Sequence, residues 1–364
     1  MRGANRIWGF LILGLFFPLT EIPVHAQSYQ VEILASGLDL PWSIAEIGNG
    51  KFLITEKTGQ LLMIDSQGNQ VTIQGTPQVH YANQGGLLEV MPHPQFAYNQ
   101  QVYLSYSSGD QAQNQTTVAR GTLINNRLSK LEVILEAKPQ KKGGGHFGGR
   151  LAFLPDDTLL VSIGDGFSYR EQAQNLENEF GTLLRVNPDG SPAEGNPFPE
   201  KAPRIYSYGH RNPQGLVFDP GTGRILMHEH GPKGGDELNH IRAGLNYGWP
   251  AITFGIDYSG AMISPFTEAD GMEQPLTYWV PSIGPSGLAV YSGDDFPEWE
   301  GDLLLGSLIN GEVLKLEIEN AEIIAESTIF PEVSGRVRDI RVLAEGSIVV
   351  VTDEGIVTKF SRAN

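Results

Sequence analysis

A unit made of a tight turn, a short apolar strand and a polar exit recurs six times along this chain. That recurrence limits the available folds more than any other feature. It reads as Gly48-Asn49-Gly50 before Phe52-Leu53-Ile54-Thr55-Glu56, as Tyr98-Asn99 before Val102-Tyr103-Leu104, and as Pro155-Asp156-Asp157 before Leu159-Leu160-Val161-Ser162-Ile163. It returns as Asp219-Pro220-Gly221 before Ile225-Leu226-Met227, Gly301-Asp302 before Leu303-Leu304-Leu305, and Glu345-Gly346 before Ile348-Val349-Val350-Val351. The spacing, about 45 to 80 residues, suits four-stranded units with loop insertions. No long amphipathic helix interrupts the pattern, and Glu171 to Phe180 reads at most as one short helix. Short strands without interleaved helices exclude a doubly wound sheet. They predict an all-β fold, a six-bladed β-propeller of four-stranded antiparallel blades. A sandwich is the alternative, but it needs no six similar units.

Upstream of the repeats, Arg2 and Arg6 precede the apolar run Ile7 to Phe17, and Val24-His25-Ala26 ends in a small residue suited to cleavage. This order predicts a secretory signal peptide over 1–26, with an apolar run too short to span a bilayer. A single propeller domain over 27–364 is expected to follow, periplasmic or secreted, with no membrane span in the mature protein. The other reading of the segment is an uncleaved anchor. The formal charge of −17 argues against nucleic acid or an anionic membrane as partner. The chain has no cysteine, which excludes disulfides, thiolate metal sites and cysteine nucleophiles. An exported chain of this kind must rely on its core or on bound ions.

The segment Gly143-Gly144-Gly145-His146-Phe147-Gly148-Gly149-Arg150 carries the strongest chemical signal. Glycines admit positive φ and let another molecule approach the backbone, and imidazole titrates nearest neutrality. His146 therefore reads as a candidate general base, or else as an incidental histidine on a flexible turn. The strand after it ends at Gly164-Asp165. Asp165 reads either as the carboxylate that orients His146 or as a turn residue. In Tyr208-Gly209-His210-Arg211-Asn212-Pro213, proline restricts Asn212 to extended geometry. There Arg211 can hold carboxylate or quinone oxygens in a planar fork.

His228-Glu229-His230-Gly231-Pro232 invites a zinc reading, but the spacing fits no metal-binding helix and Gly-Pro forbids a regular one. Carboxylates with backbone carbonyls in an irregular loop suit calcium better, and Glu237, Asp257 and Glu273 are candidates to converge on one ion. Solvated surface acids are the plainer account of each. Arg336 and Arg338 alternate onto one strand face, an arrangement that calls for nearby acids or for a small polyanionic ligand.

Taken in order, these segments resemble the soluble aldose sugar dehydrogenases, in the family of soluble quinoprotein glucose dehydrogenases. The resemblance runs from Leu40-Pro41-Trp42-Ser43 and Asn83-Gln84-Gly85-Gly86-Leu87-Leu88 through His146-Phe147-Gly148-Gly149-Arg150-Leu151 and Gly209-His210-Arg211-Asn212-Pro213. It continues through His230-Gly231-Pro232, Asn246-Tyr247-Gly248-Trp249-Pro250, Gly284-Pro285-Ser286-Gly287 and Gly335-Arg336-Val337-Arg338-Asp339. It implies a six-bladed propeller that binds pyrroloquinoline quinone (PQQ) and calcium. Its implied reaction is oxidation of aldose sugars at C1 to lactones, by hydride transfer to PQQ and onward to an external electron acceptor. The chain would be a monomer or a homodimer.

By that resemblance His146 is the catalytic base and Asp165 its partner, while Gln84, Arg211, Asn212, Arg336 and Arg338 surround the cofactor. The carbonyls of Gly231 and Pro232 would bind one calcium. Glu237, the Tyr247 carbonyl, Asp257 and Glu273 would bind a second, structural one. Two departures stand out. Ile309 follows Gly306-Ser307-Leu308 where a cofactor-contacting lysine is usual, and Gly166-Phe167-Ser168-Tyr169-Arg170 lacks the sugar-contacting residues of the glucose enzymes. The alternatives are a non-enzymatic secreted calcium-binding propeller and a calcium-dependent lactonase. The lactonase needs a metal held by carboxylates near the channel and no arginine pair.

Overall fold

The computed structural model describes residues 29–363. The signal peptide expected over 1–26 lies outside the described residues. Twenty-four strands form six four-stranded antiparallel sheets, arranged as the blades of a β-propeller, as the repeats predict. Each recurring sequence unit is the second strand of a blade: Lys51–Glu56, Gln101–Gly109, Leu159–Ile163, Arg224–Glu229, Leu303–Ser307 and Ile348–Thr352. The turn before it is the hairpin from the innermost strand. Second strands have a sheet neighbour on each edge and another blade over each face, so both faces are apolar. Leu159–Ile163, Leu303–Ser307 and Ile348–Thr352 are buried at every position.

The innermost strands are Pro41–Glu46, Leu87–Pro92, Gly148–Phe153, Pro213–Asp219, Pro285–Val290 and Val337–Val342. Each contacts the next around the channel. The ring is closed by Tyr29–Ala35, which pairs antiparallel with Val357–Arg362 and supplies the fourth strand of the last blade. Between blades, apolar side chains interlock; Leu53, Leu61, Leu87, Val102 and Leu104 join the first two blades. Full burial of such a side chain contributes about 1.5–3 kcal/mol. Cohesion of the ring rests on these layers, since the chain has no cysteine to cross-link it.

The register decides where function can sit. Each inner strand begins opposite the end of its second strand, in pairs such as Pro41↔Glu56, Gly148↔Ile163, Pro213↔Glu229 and Val337↔Thr352. Residues just before inner strands and just after second strands therefore gather at one mouth of the channel.

The short helix expected near Glu171–Phe180 is one 3-10 turn, Arg170–Gln174, in which only Ala173 is buried. The segment has no apolar stripe to pack. The side chain of Asn178 donates to the carbonyls of Gln172 and Asn175, a local arrangement that competes with a helix. Among the described residues no helix is long and apolar enough to cross a membrane.

Candidate active site

His146 stands two residues before an inner strand and Asp165 two residues after the second strand paired with it. The register brings the two side chains together, with His146 Nδ1 2.6 Å from Asp165 Oδ1. Asp165 also accepts from the Phe167 amide at 2.7 Å and from Trp249 Nε1 at 2.8 Å. Burial pushes this carboxyl up, but the hydrogen bond and charge of His146, with Arg211 and the Phe167 amide, outweigh it and hold it below its usual range. An ionised Asp165 can only accept, so Nδ1 carries the proton and Nε2 keeps its lone pair. Burial also holds the imidazole below its ordinary value, against the opposing pull of Asp165. A neutral ring with a free Nε2 is what a general base requires.

The backbone around this pair is specialised. His146 has φ 51°, in the left-handed region that non-glycine residues seldom occupy. Its amide is tied to Gln84 Oε1 at 2.7 Å. A Cβ on Gly164 would lie 2.4 Å from the His146 carbonyl oxygen, so the close approach of the two loops requires glycine there. Phe167 packs edge-on against the imidazole, with ring centroids 5.0 Å apart.

Arg211 and Asn212 precede the fourth inner strand and flank this pair. Asn212 Oδ1 accepts from the Gly148 amide at 3.3 Å, linking the third and fourth blades. Arg211 Nη1 donates to the carbonyls of His230 (2.8 Å) and Gly231 (2.6 Å). Its guanidinium lies 5.3 Å from the centre of the Trp249 ring. His230 Nε2 meets the Pro285 carbonyl at 2.8 Å, and burial pushes its pKa down to about 3. It is a neutral residue in the wall of the site.

Two adjoining cavities complete the mouth. A large one of about 820 Å³ is lined by Gln84, Gly231, Pro232, Tyr258, Ile309 and Arg336, among others. A smaller one of about 110 Å³ is lined by Trp42, Lys57, Gln84, Arg336 and Arg338, among others. Gln84, His230, Leu308 and Arg336 line both. The arginine pair does converge, although Arg336 lies just before the strand Val337–Val342. Asp353 receives both: Arg336 Nε at 2.9 Å, and Arg338 Nε and Nη2 at 2.7 and 2.9 Å. Of the two explanations for such a pair, a nearby acid is present. Sequence reasoning passed over Asp353 and Lys57. Each directly follows the second strand of its blade, the position that the register sends to the mouth, as Asp165 nearly does.

The expected convergence of Glu237, Asp257 and Glu273 does not occur. Asp257 lies in a turn, bonded to Ser259 and paired with Arg170 at 3.4 Å, and Glu273 pairs with Arg242. Each has found a local partner. Among the described residues no three His, Cys, Asp or Glu side chains converge as a metal site. Glu237 differs from the other two. It shares a cavity of about 10 Å³ with Glu229 and Tyr247, and burial followed by the Glu229 charge pushes its carboxyl up to about 8. Two carboxylates crowded in a desolvated space are a donor set that fits a cation.

Below the mouth, Arg150 binds Glu89 at 2.8 Å and Asp339 at 3.0 Å, and Arg341 binds the same two acids. Glu89 and Asp339 in the channel are thus neutralised by guanidiniums.

Known proteins resemble this chain along most of its length. Residues 38–359 match the family described as Glucose / Sorbosone dehydrogenase. The chain is 43% identical to the uncharacterized protein slr1608 of Synechocystis sp., over 90% of this chain and 86% of that one. It is 36% identical to the aldose sugar dehydrogenase YliI of Escherichia coli, over 98% and 99% of the two chains. The PQQ-bound form of the aldose sugar dehydrogenase from Streptomyces coelicolor superposes with a TM-score of 0.77 at 26% identity, covering 92% of this chain and 98% of that one. The match over residues 38–359, with a relative 36% identical along nearly the whole chain, identifies this six-bladed protein as an oxidoreductase of the glucose/sorbosone dehydrogenase family.

Proposed function

We propose that this protein is a PQQ-dependent aldose sugar dehydrogenase, exported as a single propeller domain, that oxidises the C1 hydroxyl of a cyclic aldose to a lactone. The observation that carries the reading is the His146–Asp165 pair, with a proton-free Nε2, beside a cation-rich cavity. When bound, PQQ supplies the two-electron acceptor that takes the C1 hydride and passes the electrons to an external acceptor.

His146 Nε2 takes the proton of the C1 hydroxyl as that hydride departs, and Asp165 stabilises the imidazolium that forms. Trp249 and the Phe167 amide keep Asp165 aimed at Nδ1. Gln84 holds the His146 backbone, so the base does not swing out of the site. Arg211, Arg336 and Arg338 supply the positive charge that an anionic cofactor needs in an acidic protein.

Calcium fits less evenly. Glu237 and the Tyr247 carbonyl are the residues to hold a structural ion, with Glu229 beside them. The Gly231 carbonyl accepts one hydrogen bond from Arg211, which leaves it a second lone pair, and the Pro232 carbonyl stands next to it. The experiment is titration of PQQ into the calcium-loaded apoprotein, followed by an aldose. Saturable binding and sugar-dependent bleaching of the quinone absorbance are expected. A calcium-loaded protein that binds no PQQ would leave the non-enzymatic propeller as the better reading.

A further inference from the structure

Lys57 has no part in the arrangement described so far, yet its position is unusual. It follows the second strand of the first blade and lines the smaller cavity with Arg336, Arg338 and Gln84. Its Nζ donates to the Asn83 carbonyl at 2.7 Å and lies 5.8 Å from the centre of the Tyr81 ring. Among the described residues it has no carboxylate partner. Among the described residues the only acid facing the cluster from within is Asp353, already shared by both arginines. Glu354 is exposed at the rim, against the Arg336 amide. Three cations thus surround one cavity with one inner carboxylate among them, in a chain whose formal charge is −17. Like charges held together without counter-ions are unfavourable unless an anion joins them.

We propose that Lys57 is a third cationic contact for a planar polycarboxylate ligand, acting with Arg336 and Arg338. This rests on the PQQ reading, since PQQ carries three carboxylates. The inference takes the charge that Ile309 does not supply and places it on the opposite side of the ring closure, in the first blade. A free ammonium in this position is also easily discharged. Burial, then Arg338, opposed by Asp353 and joined by a smaller effect of Arg336, push Lys57 down to about 8. Arginines do not titrate in that range, Asp353 is held below the usual carboxylate range, and His230 is neutral throughout.

The test is calorimetric titration of PQQ into calcium-loaded wild type, Lys57→Met, Lys57→Arg and Arg338→Ala, at pH 7 and pH 9. At pH 7 Lys57→Met is expected to bind about tenfold more weakly, comparable with Arg338→Ala, and Lys57→Arg to bind like wild type. The ammonium is lost as pH rises through about 8, so wild type should weaken between the two pH values. Lys57→Met and Lys57→Arg should both lack the part of that step that Lys57 contributes. Lys141, also pushed down to about 8, is retained in both variants, so the difference between proteins isolates Lys57. If Lys57→Met binds as tightly as wild type while Arg338→Ala is weakened, the inference fails and the PQQ reading stands. If wild type binds no PQQ, both fail. Should Lys57→Met not fold, a smaller step in Lys57→Arg than in wild type decides the matter; steps of equal size in both overturn the inference.

Discussion

Arg150 in the central channel and Arg338 at its mouth are both guanidiniums facing carboxylates, and the two regions handle charge in opposite ways. In the channel, Arg150 and Arg341 meet Glu89 and Asp339, two cations for two anions. The remaining bonding capacity is used as well: Arg150 Nε donates to the Gln214 carbonyl at 2.6 Å, and Asp339 accepts the Ile44 amide at 3.0 Å. Five of the six blades contribute to this closed network. At the mouth, among the described residues, Asp353 is the one inner carboxylate facing Arg336, Arg338 and Lys57, and the hydrogen bonds of Arg211 go to neutral carbonyls. Balanced, saturated charge holds a structure together, whereas unbalanced charge around an open cavity is poised for a ligand.

The sharpest way to break this comparison is at Arg150. Arg150→Met leaves Glu89 and Asp339 buried with one guanidinium between them, and should destabilise the fold by about 3–5 kcal/mol. Denaturant unfolding measures this. A loss below about 1 kcal/mol would mean that the channel network is not what ties the blades.

The base offers a test in the opposite sense, large for turnover and small for stability. His146→Gln should lower turnover by about 10²-fold or more, with PQQ binding and melting temperature little changed. Wild-type reduction of PQQ by sugar in this variant would remove His146 from the mechanism. The smallest expected effect concerns the pH profile of kcat/KM. The base must be neutral, so activity is present above the His146 pKa and lost as pH falls through it. Burial places that limb below 6.5. Asp165 pulls the imidazole pKa upward, so Asp165→Asn should move the limb to still lower pH. A limb that stays in place or moves up contradicts the Nδ1–Asp165 assignment.

Much of this was readable in advance. His146, Asp165, Arg211 and Asn212 sit in glycine- and proline-marked segments whose backbone requirements are local, and such requirements are written in neighbouring residues. Asp257 and Glu273, by contrast, each pair with an arginine, and nothing in their own segments specifies that choice. Lys57 and Asp353 carry no local signal at all. One follows a strand as an ordinary polar exit, and the other resembles any turn acid.

By itself, the sequence determined the repeating hairpin, the apolar second strands and therefore the six blades, because strand periodicity and turn chemistry act over a few residues. Only the tertiary structure decided which charges become neighbours. Lys57, Asp353 and Arg338 meet across the ring closure, some 280 to 300 positions apart for the first against the other two, and closure is a property of all six blades together. The physical reason is range: hydrogen bonds and torsions fix an element locally, but the balance of charge at a site depends on which distant elements the packing of apolar faces brings into register.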